Sequence, residues 1–124
     1  MEIGTDVLQN NRFIKSIQQK NGRLRKRLFT VDEISSNYSD LQYAIIFSAK
    51  EAISKALQTG FNYGLSWQHI NIILTNDNNN NNSNNIEVTL SGKADQLAGN
   101  KKMLVTASQS NNLSSTVALL VEGD

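Results

Sequence analysis

A chain of 124 residues with a net charge of +1 has room for one domain and a modest core, and its overall charge names no partner. It has no cysteine, which excludes disulfides and thiolate chemistry, and its one histidine, His69, excludes a multi-histidine zinc centre within one chain. No apolar run is long enough to span a membrane, and Met1–Gly4 shows neither a secretory nor a transit pattern, so a cytoplasmic protein is expected.

Proline is absent, so turns depend on Gly, Asn, Ser and Asp. Ile3–Leu8 reads as a short apolar strand interrupted by Asp6, a residue depleted in strands and costly to bury unless paired or metal-bound. Asp6 either meets water at a strand end or does chemistry. A helix is expected over about 11–19, with Phe13, Ile14 and Ile17 on its apolar side. Asn21-Gly22 signals a turn. Arg23-Leu24-Arg25-Lys26-Arg27 is the strongest charge cluster in the chain. Such a run suits a solvated helix face or, as a weaker reading, a nucleic-acid partner. No aromatic interleaves it, so base stacking is unsupported. Thr30 and Glu33 form a capping box that opens a short helix.

The longest periodic segment is a helix over about 41–58. Leu41, Ile45, Ala49, Ala52, Ile53 and Ala56 recur at steps of three and four and give one apolar stripe. Ser39 with Gln42 marks its start and Gly60 its stop. The opposite face carries Lys50, Glu51 and Lys55, and spacing alone suggests a solvated Glu51 and Lys55 pair. A glycine loop over 59–67 follows, then a strand at Ile70–Leu74. The tract 76–85 is almost all asparagine, cannot bury apolar area, and is expected to be a mobile loop. Ile86–Leu90 resumes the sheet, and Ser91–Ala98 is a small capped helix. Strands over 102–108 and 116–121 close the chain around a turn at Ser110-Asn111-Asn112.

Phe47-Ser48-Ala49-Lys50-Glu51-Ala52-Ile53-Ser54-Lys55-Ala56 resembles the signature helix of the 4'-phosphopantetheinyl transferases, and the small holo-(acyl-carrier-protein) synthase type in particular. Gly4-Thr5-Asp6-Val7 resembles the opening strand of that family. The pattern from Arg23 and Arg27 to Phe29-Thr30, and the segments around Gly60, Leu65-Ser66-Trp67 and Leu90–Ala94, follow in family order. The resemblance implies an α+β fold, with a long central helix packed on an antiparallel sheet. It further implies a single domain spanning 1–124 that assembles as a homotrimer with active sites between neighbouring subunits. Four positions depart from the family: Gln9 and Asn11 replace acidic residues, His69 stands where aspartate is frequent and reads as a surface residue, and Gln109 replaces a histidine.

By the same resemblance, coenzyme A is the substrate and its phosphopantetheine arm passes to a serine of acyl carrier protein. Mg²⁺, or Mn²⁺, would be held by Asp6 and Glu51, since magnesium takes oxygen ligands and commonly binds one or two carboxylates plus substrate phosphates. Glu51 and Lys55 would be catalytic. The base is either Glu51 or a water on the metal. Lys50, Lys55, Gly60, Ser108 and Gln109 would contact coenzyme A, although Lys50 is equally readable as solvated. Arg12, Arg23 and Arg27 would dock the acidic carrier protein, with no nucleic acid and no membrane among the partners. The competing reading is a degenerate relative that binds coenzyme A or carrier protein without transfer, motivated by Gln9, Asn11 and Gln109.

Overall fold

The computed structural model describes residues 1–19, 22–76 and 84–123. Its elements are β1 (Glu2–Gln9), α1 (Asn10–Ile17), α2 (Arg23–Leu28), α3 (Val31–Ser35), α4 (Asp40–Ala56), β2 (Ile70–Asn76), β3 (Asn84–Leu90), α5 (Gly92–Ala98), β4 (Lys102–Gln109) and β5 (Leu113–Val121). A 3-10 turn, Trp67–His69, leads into β2. The fold is α+β. The strands form two antiparallel sheets, a three-stranded one in the order β1-β5-β4 and a hairpin of β2 and β3.

The central helix forms where expected. Ser39 accepts from the Gln42 amide while the Gln42 side chain accepts from the Ser39 amide, closing the capping box. The stop differs by a few residues. Ala56 is the last helical residue and Leu57 the cap, Gln58 takes the left-handed conformation (φ 68°), and the Thr59 and Gly60 amides both return to the Ser54 carbonyl. The solvated face expected of this helix is only partly present. Eleven of its seventeen residues are buried, Lys50 among them. An all-round buried helix is a core element, not an amphipathic one.

Alternation sets the three-stranded sheet. Gly4, Asp6 and Leu8 on β1, and Ser114, Thr116, Ala118 and Leu120 on β5, face α4; Ile3, Thr5 and Val7 face away. Register places Asp6 opposite Thr116 and Gly4 opposite Ala118. Gly4 lies directly under the helix, where a side chain would strike the Ala52 carbonyl and lie 2.6 Å from the Ala56 nitrogen. Only a residue without a Cβ lets β1 and α4 approach this closely. The buried Thr116 hydroxyl donates to Ser48 at 2.8 Å, fixing α4 over β5 at the level of Asp6.

The hairpin's outer edge is covered by side chains. The Ile72 amide donates to Glu33 and the Leu74 amide to the Tyr38 hydroxyl, which takes two edge donors out of play. Of the asparagine tract, Asn76, Asn84 and Asn85 belong to strands, and 77–83 lies outside the described residues, as does Asn21 of the expected turn. β5 begins three residues before the expected 116, because Leu113, Ser114 and Ser115 pair with β1.

Candidate active site

Asp6 and Glu51 come from elements that the Gly4 contact brings together. Lys55, one turn beyond Glu51 on α4, donates to the Thr5 carbonyl at 2.9 Å and sits 3.4 Å from an Asp6 carboxylate oxygen. The solvated Glu51 and Lys55 pair suggested by spacing is not the bond that forms, because Lys55 reaches across to β1. Glu51 is half-buried. Burial pushes its carboxyl above the ordinary value of 4.5, the neighbouring Asp6 charge raises it further, and Lys55 partly opposes both. Two carboxylates and one ammonium therefore share a small region.

Two carboxylates crowded together are a ready seat for a divalent cation. Both donors are hard oxygens. Among the described residues no cluster of three or more ligating side chains occurs, so a cation here would take its remaining ligands from water or substrate. That donor set fits magnesium or manganese and does not suit zinc.

Beside the carboxylates lies a groove with a cavity of about 420 Å³. Its walls continue the elements of the site. Leu8 follows Asp6 on the same face of β1, and Phe47 precedes Glu51 by one turn of α4. Phe47 stacks between Phe13 and Trp67, with ring centroids 4.7 and 5.2 Å apart, and Phe61 covers the far face of Trp67. Arg12 and Arg27 line this groove, and Arg23 and Arg27 line the adjoining one between α1 and α2. The three arginines, spread over sixteen residues of sequence, are thus gathered around apolar walls. The Arg23–Arg27 cluster forms a short helix bordering this groove.

The structure places Lys50 and His69 otherwise than the sequence suggests. Lys50 is not at a phosphate-accessible surface. It is wholly buried, 2.7 Å from Glu33, and its remaining donors go to the Leu28 and Trp67 carbonyls. Burial lowers its pKa while Glu33 opposes the shift. All three ammonium hydrogens are committed, so none is left for coenzyme A. Ser108 faces outward on β4. Gln109 points inward and donates to the Leu41 carbonyl at 2.7 Å and to Ser114 at 2.9 Å. Leu41 is ten residues, about 15 Å of helix, from Glu51. Within one chain, Gln109 therefore lies apart from the carboxylates. Gly60 (φ 58°) sits in the turn that follows Lys55. His69 is half-buried, its Nδ1 accepting from the Ser66 amide, which makes it a turn-closing residue.

Comparison with known proteins matches the chain to one family. The family model described as the 4'-phosphopantetheinyl transferase superfamily matches residues 2–106. The holo-(acyl-carrier-protein) synthase of Geotalea daltonii is 36% identical over 95% of this chain and 94% of its own. This chain belongs to the holo-(acyl-carrier-protein) synthase family of 4'-phosphopantetheinyl transferases. The Geobacter metallireducens synthase is 32% identical, again over 94% of each chain. The crystal structure of Helicobacter pylori holo-(acyl-carrier-protein) synthase in complex with coenzyme A superposes with a TM-score of 0.76 at 25% identity. That match covers 95% of this chain and 98% of that one. Among the described residues no helix of this synthase-family chain is long and apolar enough to cross a membrane.

Local sequence patterning holds no signal for the Lys50–Glu33 pair, whose members are seventeen positions apart on different helices. Nor did it flag Gln68, whose amide nitrogen donates to the Lys26, Arg27 and Phe29 carbonyls at the end of α2. The buried network of Asn10, Ser114 and Gln109 that ties α1 to the β4–β5 turn also went unread.

Proposed function

We propose that this chain moves the 4'-phosphopantetheine arm of coenzyme A to a serine of apo acyl carrier protein. The serine oxygen forms a bond to the phosphorus bearing the pantetheine. The bond from that phosphorus to the bridging oxygen breaks, releasing adenosine 3',5'-bisphosphate, and the serine proton leaves to a base. The observation that carries this reading is the meeting of Asp6, Glu51 and Lys55 between β1 and α4.

Asp6 and Glu51 would hold Mg²⁺ or Mn²⁺, which when bound supplies Lewis-acid stabilisation of charge on the diphosphate. Lys55 would neutralise phosphoryl oxygens as charge builds on them. Glu51, with its raised proton affinity, is equipped to accept the serine proton. Lys55 and Gly60 remain the coenzyme A contacts within one chain. Arg12, Arg23 and Arg27 would steer the acidic carrier, and the apolar walls beneath them would exclude water from the docked surface.

A trimer fits the outer face of the three-stranded sheet. Ile3, Val7, Leu104 and Leu113 are each about half or more exposed there, with Val7 at 69%. Contiguous apolar surface of this kind marks an interaction site. A neighbouring copy would also bring Ser108 and Gln109 toward another chain's carboxylates. Fatty acid biosynthesis in the cytoplasm is the setting that this reading gives the enzyme.

The alternative is a relative that binds coenzyme A or carrier without transfer. It is favoured by Gln109, whose amide exchanges no proton at neutral pH. Intact-mass measurement of apo carrier protein with coenzyme A and Mg²⁺ separates the two. Transfer adds the arm to the carrier; binding in calorimetry with no mass change supports the alternative.

A further inference from the structure

We infer that Lys50 and Glu33 form a positioning pair that holds the arginine-bearing helix α2 in register with Glu51, so that carrier docking and phosphate chemistry are aligned through one residue boundary of α4. The inference rests on the transferase reading above. Both side chains are fully buried. Glu33 accepts from the Thr30 and Ile72 amides as well as from Lys50, which joins the α2–α3 junction to β2. Lys50 in turn donates to the Leu28 carbonyl at the end of α2 and to the Trp67 carbonyl behind the groove. The adjacent residue on the helix is Glu51.

α2 needs such support. Six residues are too few for a helix that stands alone, and no side chain caps its first turn. Its terminal carbonyls are satisfied from elsewhere, those of Lys26 and Arg27 by Gln68 and that of Leu28 by Lys50. Arg23 and Arg27 therefore owe their placement to a lysine on α4. Trp67 is held twice by α4, its carbonyl by Lys50 and its ring by Phe47. Loosening Lys50 would let the docking groove shift against the carboxylates while leaving Asp6, Glu51 and Lys55 in place.

The test compares the wild-type chain with Lys50→Met, Glu33→Gln and the double variant, in which no lone charge is buried. Trp67 is the sole tryptophan, so its fluorescence reports on the groove alone. Apo acyl carrier protein and coenzyme A are titrated separately, and KM for each is measured. The double variant is expected to unfold cooperatively and bind coenzyme A as the wild type does. It should bind carrier about tenfold more weakly, with a matching rise in carrier KM and faster amide exchange in α2. A folded double variant with unchanged carrier affinity overturns the inference, as does one that loses both affinities equally. Wild-type chain that binds no carrier at all overturns the transferase reading instead, and this inference with it.

Discussion

Lys55 Nζ lies 3.4 Å from the Asp6 carboxylate, forty-nine residues away along the chain, and binds the neighbouring Thr5 carbonyl. The last turn of α4 is thereby tied to β1, and Glu51, one turn earlier, is brought into the field of Asp6. This crossing of helix and strand is the feature from which the chemistry follows.

Gly4 makes the crossing close. Gly4→Ala would press a methyl into the backbone of Ala52 and Ala56, which cannot yield as a side chain would. A loss of about 1–3 kcal/mol is expected from such overpacking. Thermal unfolding measures it, and transfer activity of the folded fraction should fall as Glu51 moves away from Asp6.

Glu51 carries a pH signature. Its folded pKa is raised, so the native state binds this proton more tightly than the unfolded chain does. Its contribution therefore favours folding at low pH and is lost as pH rises from about the ordinary value of 4.5 through the raised one. Metal-free Glu51→Gln should be more stable than wild type at neutral pH, and the gap should close on acidification. Added Mg²⁺ should stabilise wild type and leave the variant unmoved. Chemical denaturation at several pH values, with and without Mg²⁺, checks both statements.

The buried pair makes a stability prediction apart from its positioning role. Lys50→Met leaves Glu33 charged and unpaired in the core and should cost about 3–5 kcal/mol. Adding Glu33→Gln should recover most of that loss. A double-mutant cycle by urea denaturation gives the coupling directly.

Charge reversal at Arg23 or Arg27 should slow carrier association by about tenfold at low salt and less at high salt, while KM for coenzyme A stays unchanged. Stopped-flow binding across a salt series measures this.

Val7→Lys or Leu104→Lys would place a charge in the apolar outer face of the sheet. Under the proposed assembly, sedimentation should show a trimer for wild type and smaller species for the variants.

Much of this was legible in the sequence. The capping boxes at Thr30 and Ser39 were readable because they are local, and the strands were readable by alternation. Asp6 and Glu51 were named by family resemblance, since nothing in their own spacing links a strand residue to a helix residue. A lysine beside a glutamate on a helix ordinarily faces water, so spacing does not reveal that Lys50 is buried. Its partner, Glu33, is supplied by tertiary packing, which leaves no periodic trace. The two-sheet arrangement was likewise unreadable, because strand order is set by long-range pairing. Gln109 was assigned by position in a motif, and its bond to Leu41 depends on where α4 begins against the last hairpin.

In the proposed reaction Asp6 and Glu51 act together through a divalent cation. The most direct measurement is the rate at which apo carrier protein gains the phosphopantetheine mass, with Mg²⁺ and with chelator, for wild type, Asp6→Asn and Glu51→Gln. Efficient transfer by wild type with Mg²⁺ is expected, with a loss of about a hundredfold or more on chelation or with either substitution. Transfer at the full wild-type rate in chelator, or in either variant, would contradict it.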